Sequence, residues 1–193
     1  MGKTNKQLNN YKHNIQYLYT RIMNILLETA TTNGAGGSAF FFAWMGVATG
    51  LVFANLGSAY GTAKAGVGLM SMGVMNPGAV MKNVLPIILA AVLGIYGLIV
   101  AIIISSNVSK VQTAISKGDI TGGMNIGYKL FCAGLCCGLS SLASGFAIGI
   151  VGDAGVRAVG QSPKLYVGMV LVMIFAEAIG LYGLIIALVL GTS

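Results

Sequence analysis

Glu177 stands within an apolar run from Leu165 to Leu190 and is the only charged residue after Lys164. A run of that length crosses a bilayer as a helix. A carboxylate at that depth costs about 3 kcal/mol or more on insertion scales. The role that compensates is carriage of an ion or a proton. Lipid favours the neutral carboxyl through desolvation, whereas water or an arginine favours the ionised one. A group that alternates between those surroundings is a reversible proton carrier. The competing role is a structural hydrogen bond between helices. If the helix pairs antiparallel with its predecessor across a turn near Pro163, Glu177 lies level with Ser144 to Ile148. Ser140, Ser141 and Ser144 are then candidate hydrogen-bond donors to the carboxyl.

Other reactive side chains point elsewhere. Cys132, Cys136 and Cys137 fall inside an apolar run without a nearby His or acidic residue, which argues against a metal or redox site and for packing. Asp153 and Arg157 are spaced for an i,i+4 ion pair. Tyr96 and Tyr182 read as anchoring or packing residues. No nucleophile with its base is present, so an enzyme acting alone is not expected. No cofactor is expected either.

The elements that position Glu177 follow from composition. Only 8% of residues are charged and 56% are hydrophobic, against about 25% charged in soluble domains. Only helices or closed barrels span lipid, and continuous rather than alternating apolar runs select helices. Four charge-free windows predict four transmembrane helices: Glu28 to Lys64, Lys82 to Lys110, Lys129 to Asp153, and Leu165 to Leu190. The formal charge of +7 does not imply nucleic acid, because the basic residues are scattered and form no basic face. Residues 1–38 read as an N-terminal extension. Ile15, Leu18, Ile22, Ile25 and Leu26 recur at helical spacing, as in an amphipathic surface helix, and a flexible linker runs from Thr31 to Ser38.

A tandem repeat orders the helices. Shifting the chain by 86 positions superposes Pro77 on Pro163, Ala90 on Ala176, Gly94 on Gly180, and Tyr96 to Ile99 on Tyr182 to Ile185. Each repeat holds two spans, so the repeats are parallel hairpins, expected at 39–106 and 126–193 with a connecting loop over 107–125. The position matching Glu177 is Ala91. Two like scaffolds thus differ in the carboxylate, which favours an ion site over a generic structural bond.

Small residues recur every fourth position at Gly46, Gly50, Ala54 and Ser58, and again at Cys132, Cys136, Ser140 and Ser144. Such stripes let helix backbones approach closely in lipid. Two equivalent stripes predict an all-α membrane protein whose hairpins assemble into an oligomeric ring, with the first and third helices inside.

Segments Ala54 to Lys64, Gly73 to Met75, Gly149 to Arg157, Ile174 to Glu177 and Leu181 to Gly183 closely resemble the proteolipids of V-type proton ATPases, of c or c-prime type. The resemblance covers roughly Phe40 to Leu190. It implies a rotor ring of proteolipids that carries H+ and is turned by ATP hydrolysis elsewhere in the complex. It makes Glu177 the proton-carrying carboxylate. It further implies as partners an a-type subunit with half-channels and an arginine, a d-type subunit with the central stalk, and membrane lipid, in a vacuolar or other acidic endomembrane compartment. The extension is longer than that family usually has. The resemblance places the termini on the lumenal side, whereas the basic N-terminal segment favours the cytoplasmic side. Two other readings make different demands. A small proton-coupled antiporter predicts a carboxylate near the first helix and no tandem repeat. A structural pore or fusion protein predicts that the Glu177 carboxyl is dispensable.

Overall fold

The computed structural model describes residues 35–192. The expected amphipathic segment and most of the linker lie outside the described residues. Four long helices account for nearly all of the remainder: α1 Ala35–Met75, α2 Leu85–Ser116, α3 Ile120–Gln161 and α4 Tyr166–Thr192. Each is long and apolar enough to cross a membrane. Among the described residues no strand is present. With 41 and 42 residues, α1 and α3 reach about 60 Å at 1.5 Å per residue, twice the hydrocarbon thickness. Their ends therefore project beyond the lipid.

Short 3-10 turns at Pro77–Ala79 and Met81–Asn83 join α1 to α2, and one at Pro163–Leu165 joins α3 to α4. The matched prolines open both connections, where a residue lacking N–H costs nothing. In the first, buried Asn83 donates through Nδ2 to the Ala79 carbonyl at 3.0 Å.

The link between the hairpins corrects the expected loop over 107–125. It is a three-residue turn, Lys117 to Asp119, because α2 runs on to Ser116 and α3 starts at Ile120. The loss of hydropathy after Ile104 marks the exit from lipid, not the end of the helix. Beyond it the polar side chains hydrogen-bond to their own helix: Ser106 and Asn107 donate to the Ile103 carbonyl, and Thr113 to that of Ser109. The turn is closed by Gly118 at φ +85°, the left-handed position that favours glycine at a helix C-terminus. Its N–H bonds the Ile115 carbonyl at 3.0 Å, and the Asp119 N–H bonds that of Ala114 at 3.1 Å. Asp119 then caps α3 by accepting from the Gly122 N–H at 2.9 Å.

The tightest helix pair is α1 against α3. A methyl placed on Gly57 would lie 2.7 Å from the Leu142 Cα, and one on Gly149 3.2 Å from the Gly61 Cα. Only glycine permits backbones to pass this closely. The contact stripe on α3 is Gly134, Gly138, Gly145 and Gly149. Cys136, Ser140 and Ser144 of the other stripe are turned toward α4 instead: a methyl on Gly183 would meet the Cys136 carbonyl at 3.0 Å. The matching contact in the first hairpin sets Gly97 against the Gly50 carbonyl at 2.9 Å. The sequence repeat is thus a repeat of packing.

Candidate functional site

Glu177 lies near the middle of α4. The small residues Ala176, Gly180 and Gly183 bury one stripe of that helix, and Glu177 stands on the flank beside it, half-buried. On α2 the corresponding buried stripe is Ala90, Gly97 and Ala101. Tyr96 stands on the opposite flank of α2 from Ala91, which matches Glu177. Because α2 packs alongside α4, the Tyr96 flank of one faces the Glu177 flank of the other. The Tyr96 hydroxyl donates to Glu177 Oε1 at 3.0 Å.

Tyr96, which the sequence reading assigned to anchoring or packing, is the side chain that contacts the Glu177 carboxyl. The signal was available. In a parallel repeat, residues on opposite flanks of equivalent helices meet between neighbouring hairpins. Tyr96 lies five positions beyond the mate of Glu177, about 7.5 Å along the axis. A tyrosine in a helix leans back toward the N-terminus and closes that offset.

The three serines behave otherwise than expected, and none donates to the carboxyl. Ser140 donates to its own helix, to the Cys137 carbonyl at 3.0 Å. Ser141 is fully buried and lies 3.9 Å from the Cys137 sulfur. The fully buried Ser144 does cross to α4, but its hydroxyl bonds the Ala176 carbonyl at 2.7 Å. It therefore fixes the backbone one residue before Glu177 and positions the site without contacting the carboxyl.

The floor of the site is apolar. Ala90, Leu93, Ile148, Met173 and Ala176 form one buried cluster beside it. Among the described residues no cation pairs with Glu177. The ion pairs centre on Asp153, which accepts Arg157 at 2.8 Å and Lys64 at 3.9 Å. That cluster confirms the i,i+4 pair on α3 and adds a tie from α3 to α1. Cys132 is exposed, Cys136 half-buried and Cys137 buried, all as free thiols. Among the described residues no cluster of His, Cys, Asp or Glu could hold a metal ion.

This arrangement offers one carboxyl, a hydroxyl that holds it against the neighbouring hairpin, a fixed backbone beneath it and an apolar surround. It can bind one proton and release it when an aqueous path or a cation arrives.

Comparison with known proteins identifies the scaffold. The family model for the ATP synthase C-subunit matches residues 45–104 and again 131–190, two segments that start 86 positions apart, as in the sequence repeat. The V-type proton ATPase 16 kDa proteolipid c-subunit 2 of Caenorhabditis briggsae is 54% identical over 171 residues, covering 89% of this chain and 100% of that protein. The V-type proton ATPase 16 kDa proteolipid subunit of Chrysotila carterae is 58% identical over 153 residues, 79% of this chain and 91% of its own. The corresponding 16 kDa proteolipid of Homo sapiens is 50% identical over 155 residues, 80% and 94% of the two chains.

Proposed function

The chain belongs to the V-type proton ATPase proteolipids within the ATP synthase C-subunit family, and from that premise we propose that reversible protonation of Glu177 couples ring rotation to proton transfer. As a proteolipid it is a non-hydrolytic, proton-carrying member of a membrane rotor ring. The carrier assignment rests on one observation: Glu177 is the sole charged side chain of its span and is held by the Tyr96 hydroxyl at the seam between hairpins.

In this reading the carboxyl rides through lipid protonated, because desolvation penalises the ion. A stationary a-type subunit supplies half-channels to water on each side and an arginine between them. Opposite the arginine the carboxylate forms and its proton leaves. A fresh proton arrives from the other half-channel before the site re-enters lipid. Tyr96 positions the carboxyl and shields one oxygen. Ser144 anchors the α4 backbone at the same level. Each proton moved against the potential costs about 2.3 kcal/mol per 100 mV, supplied through rotation by ATP hydrolysis elsewhere in the complex. A d-type subunit and the central stalk transmit that rotation to one face of the ring. The compartment acidified is vacuolar or a related endomembrane lumen, and the carried ion is H+.

The test is ATP-driven acidification of vesicles bearing the assembled complex with Glu177→Gln, beside the wild type. Loss of acidification in complexes that assemble normally is the expected result. Retained acidification would place the proton path elsewhere and leave Glu177 a structural residue.

A further inference from the structure

The connections between the helices enclose a polar cavity that the proton path does not use. It lies where the α1–α2 connection meets the end of α3 and the start of α4, with a volume of about 420 Å³. Small-ligand sites span about 300–1,000 Å³. Asn76, Lys82 and Asn83 line it from the first hairpin, and Val159, Pro163 and Tyr166 from the second. Asn83 is only 1% exposed. Its Nδ2 is engaged by the Ala79 carbonyl, but its Oδ1 has no hydrogen-bond partner among the described residues. It is the one buried side-chain polar atom among them in that state. A buried acceptor without a donor is costly. The cavity floor therefore calls for a ligand that brings an O–H or N–H.

The repeat shows that the fold does not demand this polarity. The mates of Asn76, Lys82 and Asn83 are Ser162, Gly168 and Met169. Gly168 and Met169 line an apolar groove between α3 and α4, beside Leu165 and Val172. One scaffold thus carries an apolar lining in the second hairpin, and a cation with an unengaged acceptor in the first.

Depth and charge identify the ligand class. α4 has 27 residues, about 40 Å at 1.5 Å per residue, which matches the about 40–45 Å of a bilayer with its head groups. Tyr166 opens α4 and so lies at head-group level, where tyrosines are enriched. Below it α2 and α4 leave Ile88, Val167 and Leu171 exposed, a surface that acyl chains cover. The same end of the chain carries Lys64, Lys82, Arg157 and Lys164 against the single acid Asp153. Asp153 is already paired with Lys64 and Arg157. Basic pockets between membrane helices at this level take anionic head groups. A head-group ammonium would meet the like charge of Lys82, whereas a hydroxyl donates to Asn83 Oδ1 without that cost.

We infer that this cavity binds an anionic glycerophospholipid with a hydroxyl-bearing head group, its phosphate on Lys82 and a hydroxyl donating to Asn83 Oδ1. None of these residues holds Glu177, so lipid binding and proton carriage are separable.

The assembled complex in phosphatidylcholine nanodiscs, with photoactivatable phosphatidylinositol as the probe, tests the site. Label is expected within residues 76–88 and 163–171, displaced by unlabelled phosphatidylinositol. Phosphatidic acid has the charge without the head-group alcohol and is expected to compete at least fivefold more weakly. Equal competition by it would overturn the role given to the hydroxyl. Soluble glycerophosphoinositol is expected to compete at least tenfold more weakly, and competition equal to that of the lipid would overturn the lipid assignment. Lys82→Ala and Asn83→Leu are each expected to lower labelling at least fivefold. Lys82 is exposed, so its variant reports on binding even if Asn83→Leu disturbs the turn. Lys164→Ala removes a charge outside the cavity and is expected to label like the wild type. Equal losses in Lys82→Ala and Lys164→Ala would reduce the effect to surface charge and overturn the inference. Label on other chains of the complex alone would overturn it too and give the cavity to a partner protein. Glu177→Gln complexes are expected to take the label like the wild type, so a failure of the carrier reading is distinguishable from a failure of the lipid site.

Discussion

The two hairpins share a scaffold and divide the labour. Their internal contacts are nearly superimposable. Gly97 lies against the Gly50 carbonyl as Gly183 lies against that of Cys136, at 2.9 and 3.0 Å. A methyl on Gly94 would meet the Ser58 hydroxyl at 3.4 Å, and one on Gly180 would meet that of Ser144 at 3.5 Å. Yet the first hairpin contributes Tyr96 and carries Ala91, whereas the second contributes Glu177. Small residues set the close approach of helices in lipid, and they are repeated. The costly group is not repeated. The proposed proton site therefore lies at the seam between hairpins, with its carboxyl from one and its hydroxyl from the other. The same seam accounts for the unequal burial of matched residues, since the first hairpin is covered on a flank where the second is bare.

The comparison is broken most severely at its unique residue. Glu177→Gln is expected to lower ATP-driven acidification at least about 100-fold, the loss of a proton-transfer group, with ring yield unchanged. Introducing a carboxyl at the mate, by Ala91→Glu in that background, tests whether the scaffold alone suffices. Partial recovery of acidification is expected if a neighbouring copy presents Tyr182 to position 91 as Tyr96 is presented to Glu177. Absence of recovery in well-assembled rings would mean that the two seams are not equivalent.

Matched glycines sharpen the comparison at the next level. Gly152→Ala adds a methyl 3.1 to 3.2 Å from Ala65, Met173 and Pro86. Overpacking of that kind costs about 1–3 kcal/mol, to be read as an earlier unfolding transition of the solubilised chain. Gly66→Ala meets nothing within 4 Å among the described residues of its own chain and is expected to leave that transition in place. Matched tyrosines should differ more gently. Tyr96→Phe removes a hydrogen bond worth about 1 kcal/mol, roughly a fivefold fall in acidification, with a displaced pH profile. Tyr182→Phe is expected to keep the wild-type profile. Equal effects of the two would reduce Tyr96 to a packing residue.

Much of this was legible in the sequence, for reasons that differ by residue. The spans and the repeat were legible because lipid imposes length and apolarity on every helix. Glu177 stood out because a charge inside such a run has a large cost. The extent of α2 and α3 was not legible from hydropathy, since Ser106, Asn107 and Thr113 remain helical by bonding their own backbone outside the lipid. The partner of Glu177 was misread because the pairing considered was within the second hairpin. The decisive contact comes from the first, through a tyrosine whose duplication suggested a passive role. Ser144 reaches α4 at the turn of Ala176 whereas Ser140 lies against Gly183, and hydroxyls on a helix find backbone carbonyls more readily than a side chain on the next helix.

Ser144 and Ser58 give the finest division between the hairpins. They are repeat mates and stand equally close to their matched glycines, but only Ser144 bonds across, to the Ala176 carbonyl at 2.7 Å. That carbonyl precedes Glu177, so the bond tethers the carboxyl-bearing turn to α3. Ser144→Ala leaves a fully buried position without its donor and is expected to cost about 1 kcal/mol, visible as a small fall in the unfolding transition and a less than fivefold fall in acidification. Ser58→Ala makes no such change, since among the described residues no hydrogen bond of the Ser58 hydroxyl is formed. A tether that serves only the fold would lower stability in Ser144→Ala and leave acidification per assembled ring untouched. A parallel fall in both is expected if the α4 backbone must be held at this turn for Tyr96 to reach the carboxyl.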